Sequence, residues 1–512
     1  MEQRNTTAIV TVLICGMFVA ILNQTMVNVA IPHMMTDLNV STTTIQWMST
    51  GFMLANAVMI PISAFLMESV PTRTLFAMAM MLFTIGSLIC GIGPNFALVL
   101  VGRIIQAIGA GVMMPLVTNI FLRIFPPEKM GRAMGMMGIA MMFAPAIGPT
   151  FAGYMLETFS WRVLFYIMVP LGVLEVLLTF RYLPNVLKLT YPKLDVQGAI
   201  YSTIGFGALL YGLSEAGSRG WGDAVVDTSV IAGVVFILFF IYRELTVARP
   251  LLNLEVFKYY TFTMTTVVSV VVNMAMFGAM LLLPIFVQNI RGYTALESGL
   301  LILPGALLMG VMSPVSGILF DRFGVRPLAV IGLAITAITT YQFTKLTAET
   351  SFNHLLLLYA LRNLGISFIM MTVMTAGLNR LPPSLKAHGT AAANTMRQVA
   401  ASFGTALLVT VMSTRTTEHL AAFANTLTTN NPVAAENVAG LQAGLASSTG
   451  LPPEAAGAYA LSMLSGFASK ESAIAGINDS FVVATWITVA GLFFSFFLNR
   501  APTPNTGGKG LK

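Results

Sequence analysis

Charge is scarce in this chain. Asp, Glu, Lys and Arg make up 9% of its 512 residues, where a soluble domain carries about 25%, so water is not its main solvent. Cysteine is nearly absent as well. Cys15 and Cys90 both fall inside apolar runs, which suggests neither a disulfide framework nor a metal site. His33, His354, His388 and His419 are scattered without metal-ligand spacing, so no catalytic constellation is expected. No segment reads G-x-x-x-x-G-K-S/T, and no soluble stretch is large enough to house a nucleotide-binding domain. Energy from ATP within the chain is thereby excluded. The net charge of +7 invites a nucleic-acid reading, but the basic residues stand in ones to threes between apolar runs, with no basic stripe. An enzyme and a nucleic-acid binder are set aside, and no cofactor is expected.

Hydrophobic residues are plentiful, at 56%, in runs of roughly 20, the length a helix needs to cross the hydrocarbon core. The ten-residue alternation of a membrane barrel is missing. The pattern predicts an all-α membrane protein with spans at about 8–32, 45–67, 74–93, 97–122, 133–156, 162–183, 196–214, 229–247, 262–288, 299–320, 326–346, 354–378, 389–413 and 479–498. The first run resembles a signal anchor. It has no small-residue cleavage site and is interrupted by Gln24 and Asn28, so it reads as a retained helix.

Orientation follows from Lys and Arg in the connections. Eighteen of the 27 fall on the side of the N-terminus, six on the other side, and three (Arg103, Arg362 and Arg397) within spans. This bias places both termini in the cytoplasm and asks for an even number of crossings, here fourteen. The expected organisation is a six-helix bundle over 1–190 and two inserted transmembrane helices over 191–258. A second six-helix bundle over 259–500 and a cytoplasmic tail over 501–512 complete it. The segment 414–478, rich in Ala, Gly, Ser and Asn, reads as an outer, solvated and partly mobile loop; its Ala-rich parts 434–446 and 454–468 are open to forming surface helices.

A faint internal repeat supports two halves. Gly317-Ile-Leu-Phe-Asp321-Arg-Phe-Gly324-Val-Arg326-Pro327 and Glu68-Ser-Val-Pro71-Thr-Arg73 each set an acid five residues before an arginine in a short inner turn. The first is similar to the inner-loop signature of the major facilitator superfamily, and the second to a degraded copy. Arg103-Ile-Ile-Gln106-Ala-Ile-Gly109 looks like its buried-arginine signature. Gly135, Gly148-Pro149 and Gly153 look like its exporter-associated glycine–proline pattern, with Ala144 and Ala152 in place of two glycines. Leu22-Asn23-Gln24-Thr25 and Asn394-Thr-Met-Arg397-Gln398 look like signatures of its 14-helix drug:proton antiporter branch. The resemblance covers nearly the whole chain and implies the major facilitator fold, two six-helix bundles plus two inserted helices. It also implies secondary active, proton-coupled export of lipophilic drug-like solutes by alternating access, from a bacterial cytoplasmic membrane. One departure stands out: many members of the branch carry Asp where this chain has Asn23, and this Asn-Gln-Thr version looks more like the lincomycin-exporter-type subgroup. An asparagine cannot titrate, so the usual proton carrier is not carried over. Uptake of a specific solute on the same fold stays open. A periplasmic adaptor is compatible with the family and marked by no residue here.

Ionisable groups inside spans form the functional shortlist, because a charge at the bilayer centre is costly and usually faces a cavity or a partner. Arg103 and Asn23 lie at similar depths, which invites a hydrogen bond between them, either a brace or a link that rearranges on protonation. Glu175 is the one acid well inside a span and suits an exchangeable proton, unless it reaches the interface or pairs with a base. Arg397 and Arg362 either brace helices or anchor an anionic group. Asp321 is expected to accept backbone N–H bonds near a helix end and Arg326 to add a second tie across that turn, with Gly317 allowing close approach. Gly148 and Pro149 are expected to bend their helix, and Gly135 and Gly153 to permit tight packing. Gln24, Met26, Asn28, Met141, Phe143 and Arg362 are the expected cavity residues, with Met26, Met141 and Phe143 first. Asp479 is expected to cap the last helix as an exposed acid.

Overall fold

The computed structural model describes residues 3–126, 129–187, 189–191, 194–247, 250–426, 432–450 and 452–498. The expected tail at 501–512, with Lys188, Lys193, Arg249 and Arg500, lies outside the described residues.

Lipid offers no hydrogen-bond partner, so each spanning segment must satisfy its own backbone, and the helix does so. The helices are α1 (Gln3–Asp37), α2 (Thr42–Ile45), α3 (Trp47–Ser69), α4 (Thr72–Ile92), α5 (Phe96–Ile124) and α6 (Met130–Thr158). Then follow α7 (Arg162–Tyr166), α8 (Met168–Tyr182), α9 (Val196–Arg219), α10 (Ala224–Thr246), α11 (Tyr260–Ile285) and α12 (Ala295–Phe323). The last six are α13 (Val325–Gln342), α14 (Phe352–Ser367), α15 (Met370–Asn379), α16 (Lys386–Thr426), α17 (Pro432–Thr449) and α18 (Pro453–Ser495). Among the described residues, 13 segments are long and apolar enough to cross a membrane, with α7–α8 and α14–α15 each counting as one. The helix expected at 389–413 is α16, which carries Asn394, Arg397 and Gln398 and is correspondingly less apolar. It packs along α11 and α18 and also meets α3, α5 and α9.

Local sequence fixes the helix ends. The Asn95 side chain accepts the Leu98 N–H at the start of α5, Ser351 accepts that of His354, and Thr294 with Glu297 forms a capping box at α12. Gly324, at φ 81°, turns α12 into α13 in a conformation that a side chain would resist. Successive crossings alternate, so α18 ends on the face where α1 starts, here called the terminal face. The Tyr260 hydroxyl at the start of α11 donates to the Phe497 carbonyl there. The opposite, far face carries α17.

The segment 414–478 departs from its expectation as a solvated loop. α16 runs on to Thr426, α17 follows, and α18 begins at Pro453. Alanine is the strongest helix former, and two crossing helices already supply the nucleus that isolated helices lack. Asp479 consequently stands well inside α18 rather than at its start. It accepts from Arg415 Nε (2.8 Å) and meets His419 Nε2 (2.9 Å), tying α18 to α16.

The halves meet chiefly where α6 lies along α12. Small residues make this approach feasible: a Cβ on Gly317 would strike the Gly131 carbonyl, and one on Gly135 would strike Ser313 and Pro314. Gly148 packs on Thr25 of α1. Gly153 does not do what was expected of it, since nothing lies within 4 Å of where its Cβ would be. Pro145 and Pro149 both lie inside an α6 that continues to Thr158.

Candidate functional site

At the terminal face an acid from each half reaches into the other. Asp321, near the end of α12, accepts the Gly131 N–H on Oδ1 (2.9 Å) and the Arg132 N–H on Oδ2 (3.1 Å). These are first-turn donors of α6, which have no partner inside their own helix and sit at its positive end. Glu68, near the end of α3, meets His388 Nε2 at the start of α16 (3.2 Å) and accepts the Thr190 hydroxyl (3.0 Å). His388 Nδ1 accepts the Asn253 N–H (3.2 Å), so the proton it donates to Glu68 is on Nε2. A third tie runs from Arg123 Nη2 to the Pro383 carbonyl (3.1 Å). The two acids of the sequence repeat thus hold equivalent places in the two halves. Their arginines do not share in this. Arg73 donates to the Leu183 carbonyl within its own half, and Arg326 makes no hydrogen bond or ion pair among the described residues, so the second tie expected of it is absent.

The hydrophobic clusters follow the same division. Met371, Met374, Leu378, Leu381 and Ala391, from the terminal-face side of the C-terminal half, pack into one cluster with the N-terminal half. On the far side that half keeps a cluster of its own, built on Leu282, Phe286, Leu355, Phe343 and Phe481. The two halves are clasped at the terminal face.

Charge-assisted hydrogen bonds contribute about 1.5–3 kcal/mol each. Asp321→Asn keeps one acceptor oxygen but turns an amide N–H toward the second donor, losing about one such bond, or roughly a ten- to hundredfold change in the balance of access states. In a Cys15→Ser background, Ser313→Cys, buried beside Gly138, should then react at least about tenfold faster with a water-soluble maleimide. An unchanged rate would discard the clasp.

Deeper in the N-terminal half, Arg103 is fully enclosed. Its Nη1 donates to Asn23 Oδ1 (3.0 Å) and Gln106 Oε1 (3.0 Å), its Nε to the Met48 carbonyl (3.2 Å), and its guanidinium lies 4.2 Å from the Phe52 ring centre. Gln106 in turn donates to the Ser87 hydroxyl (2.6 Å). The expected Arg103–Asn23 bond is therefore present, within a network joining α1, α3, α4 and α5. Arg362 of α14 mirrors it in the other half, donating to Thr340 Oγ1 (3.3 Å) and to the Ala275 carbonyl of α11 (3.2 Å) beside a small crevice lined by Val272, Met276 and Ile366. Arg397 of α16 has only the Met374 thioether, 3.6 Å from Nη1.

Glu175 is 4% exposed and, among the described residues, carries no ion pair; its Oε1 is sealed without a hydrogen-bond partner. The carboxyl lies against Gly16 of α1 and beside Phe76. Gly16 precedes Asn23 by two turns, about 10 Å along the helix. Glu175 and Arg103 are not in contact, but both bear on α1.

The expected cavity residues separate. Met26 is fully enclosed and Met141 is buried, both in the shared cluster, so neither lines open space; a thioether fills irregular gaps between packed helices equally well. Phe143 is half-buried and covers Gly310 across the junction. Gln24 is half-buried, and Asn28, one turn further on, is exposed and accepts the Ser49 hydroxyl (2.8 Å). Among the described residues no group of acids, histidines or cysteines could hold a metal ion. The Glu68–His388 pair was missed in the sequence, where its one signal was the acid-then-arginine spacing.

Residues 13–405 match the family model described as Major Facilitator Superfamily. The chain belongs to this superfamily. An uncharacterised MFS-type transporter of Bacillus subtilis (strain 168), YhcA, is 48% identical over 97% of this chain and 93% of its own length. The lincomycin resistance protein LmrB of Listeria innocua is 36% identical over 94% of this chain and 95% of its own. The multidrug export protein EmrB of Escherichia coli (strain K12) is 30% identical over 81% and 82%. Among solved structures, the human organic anion transporter MFSD10 superposes with a TM-score of 0.63, covering 97% of this chain and all of that one. At 12% identity that likeness establishes the fold alone. The superfamily member is a multi-pass membrane transporter, not an enzyme.

Proposed function

We propose that the chain is a secondary active exporter of drugs or antibiotics in the bacterial cytoplasmic membrane, exchanging lipophilic solute for protons by alternating access. The clasp at the terminal face is the observation that carries this reading. Two halves held together at one face by directional bonds and a shared hydrophobic cluster, with a separate cluster at the other, are the kind that rock as units. The solute class comes from relatives named for lincomycin resistance and multidrug export. Arg123, Lys129, Arg132, Arg181, Arg322 and Arg380 gather at the terminal face, which supports placing that face and both termini in the cytoplasm.

In this reading Glu175 is the proton-exchanging group. Its gain or loss of a proton changes the charge held against α1 at Gly16, and α1 carries Asn23 into the Arg103 network two turns away. Neither a second protein nor an adaptor is required for exchange across this one membrane.

The test is a measurement of lumenal pH in liposomes containing the purified chain. Adding lincomycin outside should draw protons out of liposomes whose chains lie inside-out, and a proton ionophore should abolish lincomycin accumulation. Accumulation that survives the ionophore would remove the proton from the mechanism. Lincomycin entering alongside protons would point to uptake.

A further inference from the structure

The three buried arginines differ in how they are satisfied. Arg103 has three neutral acceptors and an aromatic face, although its Nη2 is sealed without a partner, and Arg362 has a hydroxyl and a carbonyl. Both are braces. Arg397 has no ion pair and no oxygen acceptor among the described residues; its single contact is a thioether, a weak acceptor. It is 9% exposed where Arg103 is 0%, so its guanidinium keeps a narrow opening. A cation in so apolar a setting calls for a partner, and beyond the thioether the described residues supply none.

Polar residues flank it on α16, although the Asn394 amide already donates to the Thr390 carbonyl (2.9 Å). Asn394, one turn earlier on α16, is buried, and the Thr395 hydroxyl is sealed with no hydrogen-bond partner. Met374, the residue touching Arg397, belongs to the cluster shared by both halves, as do Ala391 and Ala393. Arg397 therefore stands at the junction about which alternating access turns. Among the described residues no carboxylate is paired with it. Asp321 is engaged with α6, Glu68 with His388, Glu244 with the Leu252 N–H, Asp479 with Arg415, and Glu175 lies against Gly16.

We propose that Arg397 anchors an anion-binding subsite between the halves, so that the chain selects amphipathic solutes bearing a carboxylate or sulfonate over those bearing a fixed positive charge. This deepens the exporter reading by naming the charge of its solutes and rests on that reading for the direction of movement. The planar guanidinium takes both oxygens of a carboxylate or sulfonate at once, while the apolar remainder lies against Met374 and its neighbours. A permanently cationic solute would meet like charge, whereas a weak base such as lincomycin can enter in its neutral form.

The experiment compares fluorescein and rhodamine 123, which share a xanthene ring and differ in the sign of their charge. Binding to the purified full chain is followed by fluorescence anisotropy, with no gradient applied. Fluorescein should bind at least about tenfold more tightly than rhodamine 123, as expected for one charge-assisted contact. Arg397→Gln should erase that preference, Arg397→Lys should keep part of it, and sulfate should displace fluorescein from the unaltered chain. Equal binding of the two dyes, tighter binding of rhodamine 123, or a preference that survives Arg397→Gln would overturn the proposal. Should Arg397→Gln fail to fold, the dye ratio and sulfate displacement in the unaltered chain decide alone. Preferential fluorescein binding in vesicles that never move either dye against its gradient would support the subsite and remove the exporter reading.

Discussion

Glu175→Gln is expected to abolish transport against a solute gradient, a fall of about 100-fold or more, equivalent to about 2.7 kcal/mol or more of lost driving force. Exchange down a solute gradient should stay within about threefold of the unaltered chain, since the substitution leaves the shape of the site alone. The amide has nearly the volume of the carboxyl, so packing against Gly16 and Phe76 survives. No ion pair is broken, because none is present among the described residues, and the sealed Oε1 has no hydrogen bond to lose. What disappears is titration. Transport by the unaltered chain should depend on the proton gradient, and the residual exchange of the variant should be flat with pH. The measurement is solute accumulation in everted vesicles under an imposed gradient. Accumulation unchanged by the substitution would transfer the proton to another group.

Arg103→Ala is the second large effect. It leaves Asn23, Gln106 and the Met48 carbonyl without their donor and opens space beside Phe52. Each buried acceptor so abandoned costs about 1–3 kcal/mol. Removing a buried charge returns part of this, so the chain should still insert, its apolar spans being untouched. Position is harder to restore. The network fixes α1, α3 and α5 against one another, and a displacement of about 1 Å far from the reacting groups can lower a rate about 100-fold. Transport should fall by about that factor, with expression in the membrane fraction near normal. Arg103→Lys should recover little, because an ammonium cannot reach the Asn23 oxygen and the Met48 carbonyl with the spread of a guanidinium. Transport above about half the normal rate in the alanine variant would reduce Arg103 to a dispensable brace.

Which parts were legible in the sequence follows from where the constraint acts. Thirteen of the fourteen expected spans could be read because lipid imposes length and apolarity on each segment separately. The most polar of them, α16, is the one with most of its perimeter against other helices, where Asn394 and Arg397 need not meet lipid. The Arg103–Asn23 bond was legible because depth can be counted along each helix from its ends. Asp321 was legible as an acid near a helix terminus, though which terminus was not; the answer lay almost 200 residues earlier, at Gly131. Glu68 and His388 are separated by 320 positions, and neither marks the other. The errors share a cause as well. Met26, Gly153 and Arg326 were assigned by residue type, and only three-dimensional neighbours decide whether a methionine lines space, a glycine is crowded or an arginine finds an acceptor. Segment 414–478 was misjudged because a low-aromatic, Ala-rich composition suits both a loop and a helix extended from a neighbour already formed.

The placement of α9 makes the molecule lopsided. Two seams run down its sides where the halves adjoin, one between α6 and α12 and the other between α3 and α16. α9 rests on both α3 and α16, with Trp221 just beyond it donating to Thr410 (2.9 Å), and α10 covers α9 in turn. That flank is upholstered against the bilayer. The two seams, which the twofold kinship between the halves would make alike, thus differ in what lies over them: an inserted helix pair spans the α3–α16 seam, while the α6–α12 seam is closed by direct glycine-mediated contact.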